Sequence, residues 1–313
     1  MPFFSRSRAR RHALAAVILA GGASLSSPAL ALDKQGSAHG GEVSSGDEPE
    51  GFDVEGAAMI GVSILNKSYA ARPDNTGLAL MRYAAHFDVD LIGRKLSIPI
   101  DLNFFTDKER KGLLVFAPTE FDFISGVATS HSIARGIDGE LGARFEIDLP
   151  VDRGGFSQKY ADIRARSLYS LAQIWPSLGR DLVDGDISGA FTLGWFAINP
   201  TYAARPDNTG LALFRYAAHT ELSVWHDHLS LGFDATMFTD RQTNAFRPSE
   251  LDATYEIIGR IGHYELHLAY ERDMPLDTRS LVQDFVYALL VFDFDLRHDI
   301  LRPVEQRGTI ISP

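Results

Sequence analysis

The chain has no cysteine among its 313 residues. That absence excludes a disulfide scaffold, thiolate metal sites and a cysteine nucleophile. Basic residues are in the minority. Lys and Arg number 30 against 41 Asp and Glu, for a formal net charge of −11. Phosphate binding needs a basic surface, so nucleic acid is excluded as a general partner. Long apolar runs are also missing. A mean hydropathy of −0.06 is too polar for a bundle of transmembrane helices, and a hydrophobic content of 45% is too high for a disordered chain. Ile187 to Ala204 carries no charge, but Gly189, Gly194 and Asn199-Pro200 interrupt it, and Phe191, Leu193, Trp195 and Ala197 alternate along it. Phosphate-cradling glycine loops, zinc motifs and nucleophile elbows are absent too, so the sequence points to no cofactor, no metal and no catalytic residue.

What is present begins with an export signal. Arg6, Arg8, Arg10 and Arg11 precede a short apolar core, Ala13 to Ala20, and Ala29-Leu30-Ala31 forms a small-residue cleavage site. The core is too short for a retained anchor. Residues 1–31 are therefore read as a signal peptide. Residues 32–56 are rich in Gly, Ser and acids. They bury too little apolar surface to offset their ordering entropy and read as a flexible acidic leader.

The remainder reads as an internal duplication, about 57–172 and 187–298. Tyr69 to His86 and Tyr202 to His219 differ at one position of 18, Met81 against Phe214. Ala117-Pro118-Thr119-Glu120 resembles Arg247-Pro248-Ser249-Glu250, and Leu149-Pro150-Val151-Asp152 resembles Met274-Pro275-Leu276-Asp277. Units of this length are far beyond a solenoid period.

Period-two alternation runs through both halves. In Leu229 to Met237, for example, Leu229, Leu231, Phe233, Ala235 and Met237 alternate with Ser230, Gly232, Asp234 and Thr236. A helix would not show this period. Twelve such stretches, six per half, start near Ala58, Leu78, Lys95, Thr119, Asp138, Gln158, Ile187, Leu211, His228, Ser249, His263 and Gln283. Several reach the ten residues or so that a tilted strand needs to cross a bilayer. The strands are longer than sandwich strands, their polar faces carry charges of both signs, and connections alternate between long and short. Asp240 to Pro248 counts among the long connections, and Ala172 to Asp186 is a long one on the short-turn side.

On this pattern, residues 57–298 resemble bacterial outer-membrane β-barrel proteins as a class. The resemblance implies an all-β fold, a transmembrane antiparallel barrel of about 12 strands made of two six-strand halves. It also implies the bacterial outer membrane as location, with lipid and the barrel-assembly machinery as partners. Phe292-Asp293-Phe294 looks like an aromatic-ended final strand, followed here by a C-terminal tail, 299–313.

Function follows from the faces of the strands. Alternation points Arg82, His86 and Asp88 inward, and likewise Arg215, His219 and Glu221. The expectation is two charged sets on opposite walls that constrict a narrow lumen and sort small solutes by charge. The duplicated loops contribute Arg72, Asp74 and Asn75, and Arg205, Asp207 and Asn208. They read either as rigid turns, with each Arg bonded to neighbouring acids, or as paired sites folding into the mouth. His226-Asp227-His228 is the most ligand-like cluster, but its counterpart turn, Gly93-Arg94-Lys95, has no ligand, so it reads as a polar turn. His131-Ser132, and Ser230 near His228, belong to no supporting triad. A narrow channel or binding barrel is the leading reading. The alternatives are a plugged structural or adhesive barrel, an outer-membrane lipid hydrolase, and a soluble periplasmic β-sandwich.

Overall fold

In the computed structural model the alternating stretches become twelve antiparallel strands. They are β1 (Asp53–Asn66), β2 (Ala79–Leu91), β3 (Leu96–Asp107), β4 (Pro118–Ala134), β5 (Ile137–Pro150) and β6 (Gln158–Ser170). After a short helix, α1 (Leu171–Ile174), come β7 (Ile187–Ile198), β8 (Ala212–Val224), β9 (Leu229–Asp240), β10 (Asn244–Ile261), β11 (Tyr264–Pro275) and β12 (Gln283–Asp295). The structure describes residues 53–91, 96–109, 116–152, 155–176, 186–225, 228–277 and 281–295. The signal segment, residues 32–52 of the acidic leader, the C-terminal tail, the turn at Gly93-Arg94 and residues 226–227 lie outside the described residues.

Each strand pairs with its sequence neighbour, and β12 returns to pair with β1, closing the barrel. The closing ladder runs from Glu55↔Asp295 to Asn66↔Phe285. Closure leaves no strand edge, and an even count puts both strand termini, Asp53 and Asp295, at one end. We call this the turn end and the opposite one the loop end.

The polarity of the wall is the reverse of a soluble sandwich. Outward positions hold Phe145, Ile163, Phe191, Leu193, Trp195, Leu231, Ile257, Leu266, Leu268 and Leu290, all well exposed. Inward positions hold most of the buried charge. Exposed aromatics mark both rims, with Trp225, Tyr264 and Phe292 at the turn end and Phe116, Phe156 and Phe246 at the loop end. Tyr264 and Phe292 touch at 5.3 Å, and Phe214 stacks on Phe246 at 5.7 Å. An apolar belt between aromatic girdles is the exterior of a membrane barrel.

Two boundaries depart from the sequence reading. β1 starts at Asp53, within the stretch read as leader, because Asp53↔Asp90 and Val54↔Val89 already pair. β10 starts at Asn244, opposite Asp240, so the connection read as long is a tight hairpin with register shifts at Pro248. A proline breaks the ladder there and hides the strand. The long connection at the turn end begins with α1, which Ser170 caps. Asp186, just before β7, holds the start of α1, accepting from the Ser170 hydroxyl at 2.7 Å and the Ala172 amide at 2.8 Å.

Candidate functional site

The lumen is built by strand alternation. β2 turns Arg82 and His86 inward to nearly complete burial, and β8 does the same with Arg215 and Glu221. In a ring of twelve, β2 and β8 stand six places apart, on opposite walls. The six predicted lumen residues are therefore brought to the interior. Arg82 donates to Asn103 Oδ1 at 2.6 Å and lies over the Phe105 ring at 5.8 Å. His86 sits between Asp101 at 2.6 Å and Asp88 at 2.8 Å. Opposite, His219 meets Asp234 at 2.6 Å. Glu221 accepts from Arg260 at 2.8 Å, and Arg260 donates onward to Glu265 at 3.0 Å.

The two copies of the repeated segment cross the loop end as straps, Tyr69 to Gly77 and Tyr202 to Gly210. Tyr69, Ala70 and Ala71 are buried, as are Tyr202, Ala203 and Ala204. Asn66 starts the first strap. Its amide donates to the Tyr69 and Ala79 carbonyls at 2.9 and 2.8 Å, and its oxygen accepts from the Tyr69 amide at 2.7 Å. Asn199 makes the same three bonds to Tyr202 and Ala212. Thr119 donates to the Ala71 carbonyl at 3.0 Å, and Ser249 donates to that of Ala204 at 2.8 Å. Gln158 and Gln283 donate to the carbonyls of Pro73 and Pro206.

An arginine latches each strap. Arg72 holds Asp152 through Nε at 3.1 Å and Nη2 at 3.0 Å, and lies 2.8 Å from Asp107. Arg205 holds Asp277 through Nε at 2.8 Å and through Nη2, and Asp240 through Nη1 at 2.8 Å. Such forked, charge-assisted pairs are among the stronger polar contacts. The bond to Asp152 keeps the Arg72 guanidinium above its ordinary pKa against the opposing effect of burial, and Asp277 does so for Arg205. The acids that bond each Arg were expected nearby in sequence. Instead Asp152 lies 80 residues from Arg72, and Asp277 lies 72 from Arg205. The repeated Leu-Pro-x-Asp and Met-Pro-x-Asp segments carried that signal.

The tips turn back identically. Asp74 accepts from the Thr76 hydroxyl and Asp207 from that of Thr209, both at 2.5 Å. Asn75 and Asn208 take φ of 58° and 61°, and Gly77 and Gly210 take 68° and 69°. The Asn208 amide reaches the Pro73 carbonyl at 3.4 Å, so the two straps touch across the mouth. A Cβ on Gly77 would strike both the Arg72 guanidinium and the Asp107 carboxylate. Gly77→Ala should thus lower stability by about 1–2 kcal/mol from the left-handed backbone alone, and more through the latch. A urea midpoint equal to that of the parent would show that the latch is not rigid.

The lumen is strongly acidic. Among the described residues, seventeen carboxyl side chains are buried against eight arginines. Much of this excess comes from a motif the sequence reading passed over, Glu-x-Asp, at Glu120/Asp122, Glu146/Asp148, Glu250/Asp252 and Glu271/Asp273. Period two puts both acids of each pair inward, and registers Asp122↔Asp148 and Asp252↔Asp273 bring the pairs together. The result is one acidic patch on β4 and β5 and another on β10 and β11, six places apart and at the strap end of their strands. Among the described residues no group of three or more His, Asp or Glu is arranged to hold a metal ion. Ser230 is hydrogen-bonded to Ser223 and Arg260, and His228 to the Arg260 carbonyl, so the pair noted in the sequence does not form a serine–histidine couple.

No protein-family model matches the chain, and no curated protein matches it. Among solved structures it is similar to the KdgM porin, with a TM-score of 0.40 and 5% identity over 78% of this chain and 99% of that one. A NanC porin gives a TM-score of 0.40 and 8% identity over 77% of this chain and 98% of that one. Omp33, an outer-membrane protein of Acinetobacter baumannii, gives 0.38 and 9%, over 78% and 97%.

Proposed function

We propose that this protein is a barrel of the bacterial outer membrane that passes small solutes through a narrow, acid-lined lumen and favours cations. The observation that carries the reading is the polarity of the wall: apolar outside, and inside an excess of buried carboxylates over arginines. Low-dielectric walls focus the field of the ionised carboxyls among them, and that field raises the local concentration of cations. The opposed acidic patches lie beneath the straps, where a solute would enter. Arg82, His86 and Asp88, with Arg215, His219 and Glu221, form the deeper charged ring.

A second reading is a plugged barrel with a structural role. It is favoured by one specific observation: both straps fold into the mouth and bury Tyr69 and Tyr202. Solute uptake into proteoliposomes separates the two. The channel reading expects a small diamine to enter faster than a dicarboxylate of equal size. Uptake of neither supports the plug, and faster dicarboxylate entry would refute the acidic-lumen account.

A further inference from the structure

The outer wall carries a charged pair within its apolar face. Arg272 of β11 points outward, with Tyr270 next to it toward the turn end and Met274 toward the loop end. Asp284 of β12 also points outward, between Val286 and Val282. The two are register partners, so they stand side by side at one depth. Their side chains are 46% and 41% exposed, and Arg272 Nε lies 3.7 Å from Asp284 Oδ1, too far for a hydrogen bond. The Tyr270 hydroxyl donates to the same carboxylate oxygen at 2.8 Å. On a soluble protein, water would make such an exposed pair nearly neutral in energy. On the lipid face of a barrel, charge is costly away from the interfaces. The first half has no such pair. Gln158 and Gln283 make the same bond to their straps, which aligns β6 with β12. The Leu-Pro-x-Asp and Met-Pro-x-Asp segments align β5 with β11. Ile147 then corresponds to Arg272, and Lys159 to Asp284.

We propose that this face joins two copies of the chain into a two-fold dimer within the membrane. A two-fold axis parallel to the barrel axis, placed just outside β11 and β12, sets β11 of one copy against β12 of the other. Depth is unchanged by that rotation. Each Arg272 therefore meets Asp284 of the second copy, and each Asp284 meets Arg272. Opposite charges at equal depth on neighbouring strands are self-complementary, which is what an isologous contact requires. Val286 and Ala288 keep the β12 surface low beside the pair, so the two walls can approach. A face present once per barrel closes at two copies and does not propagate. A lipid phosphate fits less well, because Asp284 beside Arg272 repels it. The inference rests on the wall lying in a bilayer, and it is independent of solute passage.

The absence of cysteine lets an introduced thiol report the contact. Val286→Cys places one beside the axis, and Leu193→Cys places one on the far wall, on β7. Each full-length protein is exported to the outer membrane of a bacterial host and oxidised there, with heat-modifiable gel migration confirming the fold. Val286→Cys should give about tenfold more disulfide-linked dimer than Leu193→Cys, because the contact holds its two thiols together. In the Val286→Cys protein, Arg272→Asp alone and Asp284→Arg alone should each lower that yield about tenfold, since like charges then meet. Co-expressed with different tags, these two single variants should cross-link to each other, an all-acidic face meeting an all-basic one. The double exchange, Arg272→Asp with Asp284→Arg, should restore the parent yield. A pair that acts only within one barrel gives no cross-link in the mixed membrane. A lipid phosphate on this face gives equal yields at Val286 and Leu193. Either result would overturn the dimer. Recovery of the parent in the soluble extract would refute the membrane reading and the dimer with it, whereas a membrane-held barrel without cross-links refutes the dimer alone.

Discussion

Leu193→Arg should lower the stability of the folded barrel by about 2–4 kcal/mol, while Ile261→Arg costs about 0–1 kcal/mol. Both are apolar, outward and exposed, at 50% and 82%. They differ in depth. Leu193 lies mid-way along β7, and Ile261 ends β10 beside the tight turn at Gly262. In water, the more exposed position would accept arginine at least as well, and neither change would cost much. In a bilayer, a guanidinium at mid-strand must be lifted out of hydrocarbon, whereas one at the rim reaches the headgroups. Reversible unfolding in urea in the presence of lipid vesicles measures both. Equal costs would mean that the exterior is not in lipid.

The second large effect is expected inside. Arg144 is fully buried, bonds Glu146 and the Tyr160 hydroxyl, and lies over the Tyr160 ring at 5.5 Å. Glu146 shares the inward face of β4 and β5 with Asp148, Asp122 and Glu120, all buried acids. Arg144→Met leaves Glu146 buried beside other carboxylates without its counter-charge. Removing one partner of such a pair costs about 3–5 kcal/mol. Adding Glu146→Gln should restore part of this loss, by about 0.5–3 kcal/mol, because the second change removes the charge the first one stranded. A double variant no more stable than the single one would show that the acids around Arg144 do not act as one network.

The strands were readable because one face of each is apolar and the other is not. The starts of β6, β7 and β12 fall at Gln158, Ile187 and Gln283, where the alternation places them. It failed at Asn244, where Pro248 breaks the period, and at Asp53, where acids and glycine resemble a leader. The inward direction of Arg82, His86, Arg215 and Glu221 was legible for the same reason. Their partners were less so, because Asp101, Asn103, Asp234 and Arg260 come from other strands and are set by register. The latch was least legible. Arg72 and Asp152 meet only after four strands have closed between them, and no local pattern encodes that distance.

A passage with an acidic wall should select for positive charge. The most direct test is the zero-current potential of the purified barrel in a planar bilayer with a tenfold potassium chloride gradient. The account predicts discrete conductance steps and a zero-current potential whose sign marks potassium as the more permeant ion. A potential of the opposite sign, or a folded barrel that never conducts even when Arg72 is changed to Ala, would contradict it.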